Sequence, residues 1–417
     1  MPLDARGVLL RAFILLLLAT CAAPALAQQA TWTPGQPGES LEIALVTVGP
    51  GQIYWERFGH NAILVRDNAS GEETLYNYGI FDFTEKNFFL NFMRGRMRYR
   101  IDAAPPQADL AKYLPERRWI DMQALNLAPP QRVALRDFLA WNAKPENAFY
   151  AYDYFRSNCS TKVRDALDTA LGGALRSATV SRSRGFTYRM HALRLTAPDF
   201  WLATGIHAGL GPFADRGVSL WEEMFIPMEL EKHLREVRVR DDAGNELPLV
   251  AAERRIAPAG FPDPADEPPR LLAGYAIAGV VIALLLVLLA RARSVAARFA
   301  FASGAAALWL VAGFAGLVLL GLWTLTTHES AWANENLLLF DPLALLLLPA
   351  AFAAARKSWR PGRFTIGVAW CVALLAGLAL FLKALPAFRQ ANFDWIALWL
   401  PVHLALAWSL ARRRAAG

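Results

Sequence analysis

The strongest constraint on this chain is the alternation, after residue 271, of long apolar runs with short arginine-rich loops. Five runs, at 271–290, 299–325, 337–355, 364–382 and 395–410, each approach the length a helix needs to cross hydrocarbon. Arg291, Arg293 and Arg298 follow the first run. Arg356, Lys357, Arg360 and Arg363 follow the third, and Arg412, Arg413 and Arg414 the fifth. The other two loops, 326–336 and 383–394, carry only Lys383 and Arg389 as basic residues, so the positive-inside rule turns them outward. The formal net charge of +7 is then a matter of membrane topology rather than of nucleic-acid binding.

At the other end, Arg6 and Arg11 precede an apolar run over 12–19, and Ala25-Leu26-Ala27 precedes Gln28. This predicts a signal peptide over 1–27, cleaved after Ala27. Leu18-Ala19-Thr20-Cys21 is a looser match to a lipid-attachment box, since Thr20 suits that role poorly. Export agrees with the arginine pattern, which leaves residues 28–256 as an extracytoplasmic domain. Residues 257–270, with five prolines and three acidic residues, read as a linker, and 271–417 as a membrane domain of about five helices.

Within 28–256 the pattern is mixed. Leu41–Val48 reads as a strand, and two β-prone stretches beginning at His60 and Thr74 flank the turn-forming Asp67-Asn68-Ala69-Ser70-Gly71, giving a hairpin. Stretches over 131–142 and 160–171 have helical spacing, so the domain is α+β. Leu171-Gly172-Gly173 should terminate the second helix.

Of three cysteines, Cys21 leaves with the signal, Cys371 lies in an apolar run, and Cys159 alone remains in the soluble domain, so no disulfide forms there. Cys159 follows Ser157 and Asn158, both good caps, at the start of a helix. There the dipole and free N–H groups lower a thiol's pKa and offer oxyanion donors. A buried structural cysteine is the alternative, but Asn158-Cys159-Ser160-Thr161 is unusually polar for one. His60, preceded by Gly59 at the mouth of the hairpin, is the candidate base. A turn centred on 69 and 70 opposes His60 to Gly79 and puts Asn77 on the same face as a diagonal neighbour, able to orient the imidazole. Asp82 is its rival. Neither CxxC nor HExxH occurs, nor any clustered His/Asp spacing, so no metal or other cofactor is expected. The outward loops are polar, with His328, Asn334 and Asn336 in one and Gln390, Asn392 and Asp394 in the other.

The run Tyr54-Trp55-Glu56-Arg57-Phe58-Gly59-His60-Asn61, the run from Tyr76-Asn77-Tyr78-Gly79 to Asp82-Phe83, Asn158-Cys159-Ser160-Thr161 and Met224-Phe225-Ile226-Pro227 together resemble the Lnb family. The stretch from His328 to Leu338, then Pro342, is similar to that family's membrane part. The order of histidine before cysteine resembles circularly permuted papain-like enzymes. The resemblance implies lipoprotein N-acyltransfer at the bacterial inner membrane, with the catalytic domain in the periplasm. An acyl chain would pass from a phospholipid donor through a Cys159 thioester to the α-amine of a diacylated lipoprotein acceptor, with His60 moving protons. Tyr54, Asn158, Ser160, Asp82, His328, Asn334 and Asn336 are the candidates for surrounding positions. Two other readings stand beside it: a cysteine peptidase or amidase acting on cell-wall peptides, and a membrane scaffold with a structural cysteine.

Overall fold

The computed structural model describes residues 30–415; the expected signal segment, with Cys21, lies outside them. Its first unit is built on a seven-stranded antiparallel sheet. The nine strands of the unit are β1 (Leu41–Val48), β2 (His60–Asp67), β3 (Glu73–Ile80), β4 (Arg98–Ala104), β5 (Ile120–Leu125), β6 (Phe149–Ala151), β7 (Arg238–Arg240), β8 (Glu246–Pro248) and β9 (Val250–Ala257). The sheet order is β6-β4-β3-β2-β1-β5-β9, and β7 and β8 form a separate hairpin.

Strand alternation divides the sheet's side chains between two cores. Ile43, Leu45, Ile63, Val65, Tyr76 and Tyr78 pack with Leu135 and Leu139 of one helix and Val163 and Leu167 of another. Ala44, Val46, Ala62, Leu64 and Leu75 pack on the opposite side with Leu110 and Tyr113. The helices that matter below are α1 (Phe88–Met93), α2 (Pro106–Leu110), α3 (Pro129–Asn142), α4 (Cys159–Ala170) and α5 (Phe200–Gly209). The proline-rich segment after β9 is irregular but fastened to this domain: Trp119 Nε1 donates to Asp263 at 2.9 Å and Gly260 N to Arg117 O at 2.9 Å.

Four helices of the second unit are long and apolar enough to cross a membrane: α6 (Leu272–Arg291), α7 (Val295–Leu325), α9 (Arg363–Leu382) and α10 (Phe393–Ala415). The apolar run at 337–355, expected as a third continuous span, is corrected to Glu329–Leu338 followed by Pro342–Ala353, bent by 44°. Three 3₁₀ turns there, Glu329–Ala331, Glu335–Leu338 and Pro342–Leu347, precede the six-residue α8 (Leu348–Ala353). Pro342 and Pro349 lack the N–H groups that a regular helix needs, and Asp341 caps Leu343 N at 2.9 Å, which restarts the chain in a new direction.

The broken segment still runs from one end of the bundle to the other. Beyond it, the carbonyls of Ala354, Arg356 and Trp359 accept from Arg413 at 2.6, 2.5 and 3.2 Å, and Arg298 approaches Ala355 O at 3.4 Å. At the opposite end Lys383 pairs with Glu335, and Gln390 Nε2 donates to Asn334 Oδ1 at 2.9 Å. The arginine-rich loops therefore share one end, and both polar loops share the other with the sheet domain.

Candidate active site

Cys159 opens α4. The Asn158 side chain accepts from Thr161 N at 2.9 Å while Thr161 Oγ1 accepts from Asn158 N at 2.8 Å, a reciprocal cap that fixes where the helix starts. Val163 and Leu167 are fully buried against the sheet, about 2 kcal/mol each by apolar area removed from water. Gly172 and Gly173, both at positive φ, end the turn after Leu171. The start is also tied from outside. Asn158 Nδ2 donates to Tyr154 O at 3.0 Å and Phe225 O at 2.8 Å, and Ser160 Oγ to Met224 O at 2.7 Å. Asn158 and Ser160 thus spend their side chains holding the helix, and Met224 and Phe225 serve through their carbonyls.

His60 begins β2, and β2 pairs with β3 so that Ala62 opposes Asn77. His60 Nε2 lies 3.0 Å from Asn77 Oδ1, and Asn77 Nδ2 donates to Asp109 Oδ2 at 3.1 Å. Lys112 Nζ holds the other Asp109 oxygen at 2.6 Å. This chain sets the tautomer. A carboxylate only accepts, so Asn77 must turn its amide to Asp109 and its carbonyl to His60, which requires a proton on Nε2 and leaves Nδ1 for the thiol. Tyr113 stacks on the ring at 6.3 Å.

The two groups perturb each other. Burial raises the Cys159 thiol, but the charge of His60, its hydrogen bond and the backbone N–H groups of Asn61 and Ser160 outweigh it, so the thiol titrates below its ordinary value. Burial likewise lowers His60, and the Cys159 charge and hydrogen bonds from Cys159 and Asn77 outweigh it, so the imidazole titrates above its ordinary value. Each charged form stabilises the other, and the backbone N–H groups of Asn61 and Ser160 favour charge on the sulfur.

Gly79 makes that approach possible. A Cβ built there would lie 3.2 Å from Cys159 Cβ, and its φ of +90° suits glycine alone. An isolated glycine inside a strand pattern is a legible sign of close approach. Asp109, Tyr113 and Tyr152 had no such sign, because α2 and the β6–α4 connection reach the site only through the tertiary fold.

The remaining candidate residues lie elsewhere. Asp82 does not rival Asn77: it is exposed, and among the described residues its carboxylate accepts only from its own turn, at Thr84. Tyr54 is 54% exposed and meets Trp55 edge to face at 4.5 Å. His328, Asn334 and Asn336 fasten the two units together rather than surround the thiol. His328 Nε2 lies 3.0 Å from Phe92 O, Asn334 Nδ2 donates to Ala208 O and Gly209 O at 2.9 Å, and Asn336 Nδ2 to Ala208 O at 3.0 Å. His207 pairs with Asp394 at 3.0 Å across the same junction.

One cluster invisible in sequence spacing is assembled by the fold. Glu223, Glu229 and His233, all buried, offer ligand atoms within 4.8 Å of one another. Arg184 bonds both carboxylates at 2.7 and 2.8 Å, and Arg194 holds Glu229 at 2.7 Å, so their charge is met without an ion. This arrangement fits a structural charge network better than a metal centre.

A mixed domain with an antiparallel sheet, carrying a coupled Cys–His pair and joined to a helical bundle of four or five membrane-crossing segments, defines a class of membrane-anchored periplasmic proteins. The chain belongs to the Lnb family: its residues 28–194 match the Lnb N-terminal periplasmic domain and 277–414 the Lnb transmembrane domain. Comparison with curated proteins and with solved structures found no match.

Proposed function

We propose that this protein is a lipoprotein N-acyltransferase of the bacterial inner membrane, with Cys159 as nucleophile and His60 as proton carrier. The observation that carries the reading is a thiol at the capped start of α4 whose titration and that of His60 perturb each other, in a domain joined to the membrane unit. The half-buried Tyr152 senses the Cys159 charge, its ring lies 5.9 Å from Tyr154, and Tyr154 stacks at 5.9 Å on His328 of the outward loop.

In the first half-reaction the Cys159 thiolate attacks an ester carbonyl of a phospholipid. The N–H groups at the start of α4 stabilise the oxyanion. The acyl C–O bond breaks, His60 gives its proton to the departing alkoxide, and a lysophospholipid leaves. In the second, the α-amine of a diacylated lipoprotein attacks the thioester and yields a proton to His60, the C–S bond breaks, and thiolate and imidazolium are restored. Both substrates keep their acyl chains in the bilayer, so a thiol held at its surface meets them without extracting them.

Intact-mass analysis after incubation with phosphatidylethanolamine vesicles tests this. An acyl adduct is expected on the unmodified chain and none on Cys159→Ala. An adduct of equal yield on Cys159→Ala would overturn the mechanism, and cleavage of cell-wall peptide without any adduct would favour a peptidase. Mass spectrometry of a lipoprotein co-expressed in cells lacking other N-acyltransferases identifies the product.

A further inference from the structure

The segment after β3, with Trp55 of the β1–β2 connection against it, exposes an unusual amount of apolar surface. Phe89 is 65% exposed, Met93 61%, Phe83 49% and Trp55 46%, although rings in this group touch one another: Trp55 and Phe83 at 6.2 Å, Phe83 and Phe88 at 5.1 Å, Phe88 and Phe89 at 5.5 Å. A contiguous apolar patch of this kind marks an interaction surface. Its position names the partner. The turn after α1 is hydrogen-bonded to the outward end of α7, with Thr327 N donating to Arg94 O at 2.8 Å. Gly95 permits the contact, since a Cβ there would lie 2.8 Å from Thr327 Oγ1. The patch therefore begins within two residues of the point where a 31-residue apolar helix emerges, next to Leu325, itself 77% exposed.

Charge agrees with that position. Lys86, Arg94 and Arg96 are exposed and, among the described residues, form no ion pair, so three cations flank the aromatic group where anionic lipid headgroups would lie. Inward, rings continue toward the thiol: Phe83 meets Phe81 at 4.9 Å, Phe81 meets Tyr99 at 5.1 Å, and Tyr99 meets Tyr152 at 4.2 Å. Tyr152 lies in the connection that leads into α4, two residues before Tyr154, whose carbonyl accepts from Asn158 Nδ2 at 3.0 Å beside Cys159; like Tyr113 and Tyr150 it feels the Cys159 charge.

We propose that α1 and its aromatic neighbours form a wedge that enters the outer leaflet of the membrane, and that the ring series from Phe89 to Tyr152 is the track by which a lipid acyl chain reaches Cys159. The occupant is the bilayer itself. The wedge follows from surface chemistry and its junction with α7; the track rests on the acyl-transfer reading above.

The full chain, reconstituted in phosphatidylethanolamine and phosphatidylglycerol vesicles, provides the test. With its other cysteines replaced by alanine, Phe89→Cys, Met93→Cys and Ala69→Cys each receive a polarity-sensitive fluorophore. Ala69 lies in the β2–β3 turn, at the far end of an eight-residue strand and so about 26 Å from the site. Nitroxide-bearing lipid should quench positions 89 and 93 at least threefold more than position 69; quenching no greater than at position 69 would overturn the wedge. In the chain that retains Cys159, Phe89→Ser combined with Met93→Ser should lower acyl-adduct formation from vesicles about tenfold or more, because lost apolar area weakens interfacial insertion. Alkylation of Cys159 by iodoacetamide, a water-soluble probe of thiol integrity, should stay within twofold. Undiminished adduct formation, or an equal loss of alkylation, would overturn the track. If the unmodified chain forms no adduct at all, the acyl-transfer reading and its track fail together, while the quenching contrast still decides the wedge.

Discussion

Replacing Gly79 with alanine should strike stability and reactivity through one added methyl group. The backbone there has φ +90°, which costs a non-glycine residue about 1–2 kcal/mol. The new Cβ would lie 3.2 Å from Cys159 Cβ, and the helix start cannot readily withdraw, because Asn158 and Ser160 are bonded to the carbonyls of Tyr154, Phe225 and Met224. A total near 2 kcal/mol corresponds to a melting temperature lower by about 4–8 °C for a domain of this size. The displacement falls between thiol and imidazole, so the iodoacetamide rate at neutral pH should drop about tenfold, as expected when a thiolate loses its cationic partner. Thermal melting followed by intrinsic fluorescence and alkylation kinetics read the two effects separately. Cys159→Gly removes the opposing Cβ, so adding Gly79→Ala to that variant should cost only the backbone share, and the difference between the two backgrounds isolates the steric contact. Equal costs in both backgrounds, or unchanged alkylation in Gly79→Ala, would refute Gly79 as the spacer between strand and helix.

Four further outcomes are expected. Activity should be bell-shaped in pH: the thiolate, its pKa lowered, is lost as pH falls through the folded value, and the imidazolium, its pKa raised, is lost as pH rises through its own. His60→Ala should shift the alkylation profile of Cys159 upward toward an ordinary thiol, and an unmoved profile would contradict the pairing. Asp109→Ala frees the Asn77 amide to turn and should lower kcat about tenfold with little change in KM, whereas Asp109→Asn, which still offers Asn77 an acceptor, should recover most of it; equal loss in both would show that charge rather than orientation matters. A reporter fused after Arg414 should be cytoplasmic and one inserted at 326–336 external, and an external C-terminal reporter would sink the five-crossing arrangement.

The sequence by itself determined the parts whose physics is local or periodic. Apolar length and arginine placement marked the membrane unit, alternation and turn residues gave the β2–β3 hairpin with its register, and helical spacing with a polar cap put Cys159 at a helix start. The register mattered most, since a period of two fixes which side chains share a face, and so carried Asn77 to His60. Only the tertiary structure decided what joins segments distant in the chain. Asp109, 32 residues beyond Asn77, fixes the amide that fixes the histidine, and no spacing rule connects them. The outward loops read as polar and specific, yet Asn334 and Asn336 of the first bond the carbonyls of α5 more than a hundred residues away, which only packing reveals. The broken third segment was hidden for the opposite reason: hydropathy measures transfer into lipid and is blind to the backbone donors that Pro342 and Pro349 remove, so a run apolar enough for a helix is interrupted by the geometry of its own peptide bonds.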